Sequence, residues 1–349
     1  MEIKKILLNV KKGVRIFLII TVVSIIVILI LTVKRETFQS LKQVSPLFLS
    51  LTLAVCLLRI YFECIRLQTL TWAFGHPIDL RSSAEFTVGG YFLSLTPFGI
   101  GGLPLQFYIL MRGRKFSFGE SGAIIGMRGI TYIFALLFTI PVLVGYRSLF
   151  TGSSIRILSG YIVAIYGILF VLLILTMIRT ERVKYRLSKL KPFFMRRGWE
   201  MVADGLDKFI DEIDKFKFGF KKCCSKGVYK LILTIFLSCI SLFFYTLIAP
   251  LLFRGLGIQA EIMKTAIIQL ILTFLLMFAP TPGGSGIAEG AGFALYRGIC
   301  IKQELLGVYV VLWRFFTYYT GVILGGFIIL RMLAGRNIRN DEIRMTNVE

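Results

Sequence analysis

Pro280-Thr-Pro-Gly-Gly-Ser-Gly-Ile-Ala-Glu289 and its companion Thr96-Pro-Phe-Gly-Ile-Gly-Gly-Leu-Pro104 break two apolar runs where a membrane helix would be most regular. In hydrocarbon an unpaired backbone N–H or C=O costs several kcal/mol. Irregular backbone therefore persists there only when protein shields it or when it lines a polar cavity. Broken segments in matching places of the two halves of a membrane chain are the strongest sequence pointer to a transport site.

The surroundings of these motifs are hydrophobic. Of 349 residues, 56% are apolar and mean hydropathy is +0.78, with several runs long enough to cross a bilayer. The clearest is Val14 to Val33, which follows Lys4, Lys5, Lys11 and Lys12. It is too long for a signal-peptide core and no small-residue cleavage site follows, so it reads as a retained first helix with a cytoplasmic N-terminus. Full spans are expected at 14–33, 46–70, 122–145, 157–178, 228–253 and 305–331. Ala84–Thr96 and Leu103–Met111 flank the first motif, and Met263–Ala279 and Ile287–Tyr296 flank the second. At about 1.5 Å per residue, Leu103–Met111 reaches only about 14 Å, half the hydrocarbon core. Such a segment cannot span alone, and a re-entrant hairpin satisfies its geometry.

The expected fold is an all-α polytopic membrane protein: six spanning helices plus two re-entrant helical hairpins in an inverted repeat. The membrane domain covers 1–335. Repeat one runs about 14–178 with hairpin 84–111, and an amphipathic cytoplasmic linker follows at 179–227. Repeat two runs about 228–331 with hairpin 263–297, leaving a cytoplasmic tail at 336–349. Three spans separate the hairpins, an odd number, so the second opens to the opposite side. Leu110-Met-Arg-Gly113 and a span with Arg128 follow the first motif; Leu295-Tyr-Arg-Gly298 and a span with Arg314 follow the second.

The net charge of +22 does not point to nucleic acid, because the basic residues flank spans instead of filling a soluble domain. Of the 41 lysines and arginines, 28 lie on predicted cytoplasmic segments and 9 on predicted outer ones. That bias sets both termini in the cytoplasm and implies a multi-pass protein of the cell (plasma) membrane. Cys56, Cys64, Cys223, Cys224, Cys239 and Cys300 show no CxxC spacing and His76 is the single histidine, so neither a disulfide framework nor a metal site is expected. No cofactor motif is present either. In the linker, Trp199, Val202, Leu206, Phe209, Ile213, Phe216 and Phe220 recur at helical spacing opposite an acidic face. This helix at 199–220 reads as an elbow joining the repeats or as a surface for a partner or a second copy.

Ionisable groups inside spans are costly and so are functional candidates. Arg59, Glu63 and Arg66 share one face of the second span, as a substrate site or as a structural ion cluster. Arg128 and Arg314 occupy matching places in the repeats. Either they grip a phosphate, for which a guanidinium fork is suited, or they brace a hairpin by donating to its exposed carbonyls. Glu289 follows the second glycine turn, where a carboxylate either caps free N–H groups or senses a proton or cation. Glu85 reads as a similar cap before the first hairpin. Gly101, Gly102, Gly283 and Gly284 permit backbone closed to other residues, and their N–H groups suit phosphate binding as well as a plain tight turn. HExxH, GxxxxGK[ST] and GxSxG signatures are absent, so an enzyme is not expected.

Pro280-Thr-Pro-Gly-Gly-Ser-Gly-Ile-Ala-Glu-Gly290 with Arg314, and Thr96-Pro-Phe-Gly-Ile-Gly-Gly102 with Arg128, resemble the two motifs of the lysylphosphatidylglycerol synthase transmembrane, flippase-like (UPF0104) family. The likeness covers roughly 10–335. It implies a domain that moves polar-headgroup lipids between leaflets. In the best-known members that domain is fused to a cytosolic one that transfers lysine from tRNA to a lipid. This chain ends at Glu349 without such a domain, so a stand-alone member without aminoacyl transfer is expected. The chain departs from the family after Gly101-Gly102, where Leu103-Pro104-Leu105 replaces the more usual acidic or polar residue. The expected function is a lipid flippase or scramblase for an anionic headgroup (phospholipid, glycolipid or isoprenoid phosphate). Its alternative is a non-transporting membrane scaffold or accessory subunit of a lipid or envelope pathway.

Overall fold

Long apolar stretches free of mid-helix glycine-proline clusters form the four longest helices. The computed structural model describes residues 44–95, 102–112, 115–139, 227–277, 279–300 and 302–332, with isolated positions between 161 and 225. Every regular element among them is helical. In order these are α1 (Pro46–Ala73), α2 (Leu80–Leu93), α3 (Gly102–Met111) and α4 (Phe118–Leu137), then α5 (Val228–Gly255), α6 (Ile262–Met277), α7 (Ile287–Arg297) and α8 (Leu306–Met332). By length and composition α1, α4, α5 and α8 can cross a membrane, whereas α3 and α6 are shorter apolar helices. The expected spans at 14–33 and 157–178, Gly101, the tail at 336–349 and all but isolated positions of the 199–220 helix lie outside the described residues.

Helix lengths run 28, 14, 10 and 20 residues in α1–α4 and 28, 16, 11 and 27 in α5–α8. Each half is thus long, short, short, long, and each glycine-rich motif falls between its two short helices.

Two starts differ from expectation. α2 begins at Leu80, not Ala84, so Glu85 lies in its second turn. There it accepts from Arg81 Nε at 3.2 Å, an i,i+4 pair along the helix. α4 begins four residues before the expected 122 because Ser117 and Glu120 form a capping box. Ser117 Oγ accepts from the Glu120 N–H at 3.2 Å and Glu120 Oε2 accepts from the Ser117 N–H at 2.9 Å.

The chain divides into two compact units. The first contains Met1–Cys64, Arg81–Gln106 and Ile240–Glu349. Small residues let its helices approach closely. A Cβ at Gly102 would sit 3.0 Å from the Gly90 carbonyl oxygen, and one at Gly325 would run into the Val88 carbonyl. Gly321-Val-Ile-Leu-Gly325 on α8 thus packs on Val88, Tyr91 and Phe92 of α2 in the small-xxx-small manner of membrane helices. A second cluster ties α6, α7 and α8 together. Buried Gln269 Oε1 accepts from Tyr296 Oη at 2.9 Å and from Trp313 Nε1 at 2.6 Å. Around it Phe253 and Tyr309 lie with ring centroids 4.0 Å apart, and Tyr296 and Tyr309 at 4.8 Å. These aromatic groups bury large apolar areas, and the polar ends of Tyr296 and Trp313 share the one Gln269 oxygen.

The second unit contains Ile65–Leu80 and Phe107–Cys239. Its core includes Leu67, Leu70, Phe74, Ile124, Met127 and Leu136. Arg66 is buried there, donating to Ser238 Oγ at 3.1 Å with its guanidinium 5.7 Å from the Tyr132 ring centroid.

Candidate functional site

The second motif forms a turn that glycine makes possible. After α6, Thr281 is extended, Pro282–Gly284 make one tight 3₁₀ turn, and Ser285 is extended again. Gly283 (φ 59°), Gly284 (φ 72°) and Gly286 (φ 81°) all occupy left-handed conformations that side chains disfavour. Gly283 also lies directly against the Tyr318 ring, leaving no room for a Cβ. Ser285 Oγ donates to the Pro282 carbonyl at 2.9 Å, and α7 begins one residue after Gly286.

Two buried charges hold this turn. Glu289, fully buried, accepts the Gly286 N–H through Oε2 at 2.7 Å, so it caps α7 where the helix dipole favours a carboxylate. Its Oε1 accepts from Arg314 Nε at 3.1 Å and from Tyr319 Oη at 3.2 Å. Arg314, 3% exposed, also donates through Nη2 to the Gly283 carbonyl, and its guanidinium stands 4.5 Å from the Tyr318 ring centroid. Capping by Glu289 and bracing by Arg314 are therefore both present, joined in a single network. A buried pair survives only when further hydrogen bonds satisfy both ions, which Gly286, Tyr319 and Gly283 do.

Directly after Arg314 the helix widens into a π-turn at Phe315–Tyr319. Such turns shift backbone carbonyls and recur at functional positions. Here three successive carbonyls accept from side chains. Phe315 O takes Thr320 Oγ1 at 2.9 Å, Phe316 O takes the Cys56 thiol at 2.9 Å, and Thr317 O takes Arg59 Nη1 at 3.2 Å. Arg59 Nη2 donates to Tyr91 Oη at 3.0 Å, and its guanidinium lies 4.4 Å from the Tyr245 ring centroid. Ser94 Oγ, which donates to the Tyr91 carbonyl, stands 3.3 Å from Tyr318 Oη.

These groups enclose a cleft of about 240 Å³. Thr281, Gly283 and Gly284 line one wall, Arg314, Thr317 and Tyr318 another, and Arg59, Tyr91, Ser94 and Tyr245 the rest. Tyr91 and Ser94 end α2, immediately before the first motif, so the approaches to both motifs share this cleft. Arg59 and Arg314 are the charged side chains among its lining residues, and the Arg314 charge is balanced by Glu289 behind it. The remaining hydrogen-bonding groups are hydroxyls and backbone. Among the described residues no three His, Cys, Asp or Glu side chains gather to hold a metal ion.

The site residues expected from sequence divide accordingly. Arg59, Gly283, Gly284, Glu289 and Arg314 come together. Glu63 is buried one turn along α1, where its Oε1 accepts from Ser241 Oγ at 2.8 Å, and it does not line the cleft. Gly102 serves the close approach of α3 to α2. Arg128, half-buried on α4, belongs to the second unit. The three cleft tyrosines and Gln269 went unnoticed in sequence. Tyr318 was signalled by the aromatic run Phe315-Phe-Thr-Tyr-Tyr319 beside an intramembrane arginine and Gln269 by a lone amide in the apolar α6, whereas Tyr91 and Tyr245 had no such signal.

The family model of the lysylphosphatidylglycerol synthase TM region matches residues 16–325. The chain is 25% identical over 263 residues to a UPF0104 membrane protein of Archaeoglobus fulgidus, covering 75% of this chain and 79% of that protein. No solved structure matches the chain. With both glycine-rich motifs inside the matched span, this multi-pass membrane chain belongs to the lysylphosphatidylglycerol synthase TM region family.

Proposed function

We propose that the chain is a non-catalytic flippase or scramblase that passes an anionic lipid headgroup between leaflets of the plasma membrane, with both termini cytoplasmic. The observation that carries this reading is the cleft at the second glycine turn: concave, arginine- and hydroxyl-lined, and set in an apolar helical chain. Its volume of about 240 Å³ suits a headgroup and leaves acyl chains outside. Arg59 meets the anion, because its charge lies at the cleft wall. Arg314, whose charge is balanced by Glu289, keeps the turn open. The repeated order of long and short helices supports two hairpins related by an inverted repeat, each re-entering from its own side. Arg128, on the span that follows the first hairpin, takes the matching place in the other repeat.

Headgroup retention tests this. Purified protein equilibrated with equimolar phosphatidylglycerol and phosphatidylcholine in detergent retains the anionic lipid preferentially in native mass spectra. Arg59→Ala loses that preference, whereas Arg59→Lys keeps part of it. Equal retention of both lipids by the unaltered protein contradicts the reading.

A further inference from the structure

We infer that the turn between α5 and α6 binds a phosphate group, carried by a glycerophospholipid or free in solution, in a pocket that shares no lining residue with the cleft. This pocket encloses about 640 Å³, within the range of small-molecule sites. Phe48 of α1, Arg254 of α5 and the turn residues Gly257–Glu261 wall it.

The backbone of the turn satisfies itself. Gly257, at φ 66°, ends α5 in a Schellman motif: its N–H donates to the Arg254 carbonyl at 3.0 Å, and the Ile258 N–H donates to the Phe253 carbonyl at 2.9 Å. The Leu256 N–H donates to the Leu252 carbonyl at 3.0 Å. At the start of α1, the Ser45 N–H donates to the Gly255 carbonyl at 2.8 Å. The last four carbonyls of α5 thus all have backbone donors, and the Arg254 guanidinium is not needed to cap them. That side chain is exposed, and among the described residues no carboxylate pairs with it. A second cation stands beside the wall, since a Cβ at Gly257 would lie 4.0 Å from Lys302 Nζ. Among the described residues Lys302 has no paired carboxylate either. Glu261, the one carboxylate among the lining residues, is paired with Lys264 at 2.9 Å. Two cations at one concave turn therefore keep unbalanced charges, which a phosphate accepting charge-assisted hydrogen bonds from both would complete.

The level of the pocket fits a lipid phosphate. α1 begins at Pro46 and α5 ends at Gly255, and both are long and apolar enough to span, so the pocket lies where two spans end. Phe48 adds an apolar wall that a glycerol backbone uses and a free ion does not. Because phosphate is common to zwitterionic and anionic lipids, this site does not prefer phosphatidylglycerol to phosphatidylcholine.

The test is amide hydrogen exchange of the full chain in detergent, read on peptides across 256–264. Phosphatidylcholine, diacylglycerol, inorganic phosphate and chloride are added in turn, the salts at matched ionic strength. Phosphatidylcholine is expected to slow exchange there at least threefold, and diacylglycerol and chloride to leave it unchanged. Slowing by inorganic phosphate alone keeps the site and makes its ligand the free anion. Arg254→Gln combined with Lys302→Gln, which leaves the backbone turn intact, should abolish the effect, whereas Arg59→Ala should retain it. No slowing by either phosphate source, equal slowing by diacylglycerol or chloride, or an effect that survives the double substitution overturns the inference. Loss of the effect in Arg59→Ala overturns it too, because the ligand then occupies the cleft.

Discussion

Glu289→Gln removes one charge from a pair that the fold has taken wholly out of solvent, Glu289 at 0% and Arg314 at 3% exposure. The amide retains an oxygen for the Gly286 N–H but leaves the Arg314 guanidinium, held 3.1 Å away by Nε, without its counter-charge. Breaking a buried pair from one side costs about 3–5 kcal/mol, far more than the roughly 0–1 kcal/mol of an exposed pair. For a chain of this size that corresponds to a fall of about 4–7 °C in thermal midpoint. The partner change Arg314→Met carries its own cost, because the Gly283 carbonyl and Tyr318 lose their contact. A double-mutant cycle isolates the coupling between the two ions. Thermal unfolding in one detergent, followed by tryptophan fluorescence, should show each single variant destabilised. The double variant should lose less than the sum of the singles, by about 2 kcal/mol or more. A Glu289→Gln loss below about 1 kcal/mol, with additive singles, refutes the buried network.

Other expectations follow from individual contacts. Gly283→Ala places a methyl group on a left-handed residue against Tyr318 and should cost about 2 kcal/mol in the same unfolding measurement, with transport reduced in parallel. Gln269→Leu leaves Tyr296 Oη and Trp313 Nε1 buried without their acceptor; a loss of about 2 kcal/mol is expected, and a neutral result denies that this amide ties three helices together. Cys300, buried in the loop between α7 and α8, donates its thiol to the Lys302 carbonyl at 3.2 Å, and burial pushes its pKa up to about 11. In a chain whose other cysteines are replaced by serine, maleimide should modify it at pH 8 about a hundredfold more slowly than after unfolding in dodecyl sulfate.

Much of the helical layout was legible because hydrophobic length is a physical demand of the bilayer. The expected 46–70, 228–253 and 305–331 appear as Pro46–Ala73, Val228–Gly255 and Leu306–Met332. Helix starts were less legible where a cap outranked hydropathy. Ser117-Phe-Gly-Glu120 is polar enough to read as loop, yet its capping box opens α4 there. At α2, Glu85 read as a cap before the first hairpin and pairs with Arg81 along the helix. Within the site, sequence raised capping for Glu289 and bracing for Arg314 as separate alternatives. It could not join residues 25 positions apart into one ion pair. The π-turn was hidden because Phe315–Tyr319 has the composition of an ordinary apolar helix, and the donors that meet its carbonyls, Cys56 and Arg59, lie 260 and 258 positions away in the chain. Gly321 and Gly325 carried a legible small-xxx-small signal, though nothing in sequence specified α2 as its partner.

The most direct measurement is lipid translocation in proteoliposomes bearing fluorescent phosphatidylglycerol or phosphatidylcholine, with dithionite quenching from outside. The account predicts rapid, protein-dependent loss of the inner-leaflet phosphatidylglycerol signal, slower loss for phosphatidylcholine, and at least a tenfold slowing for phosphatidylglycerol in an Arg59→Ala variant that remains folded at the assay temperature. A folded protein that accelerates neither lipid, or that moves both equally with Arg59 removed, contradicts it.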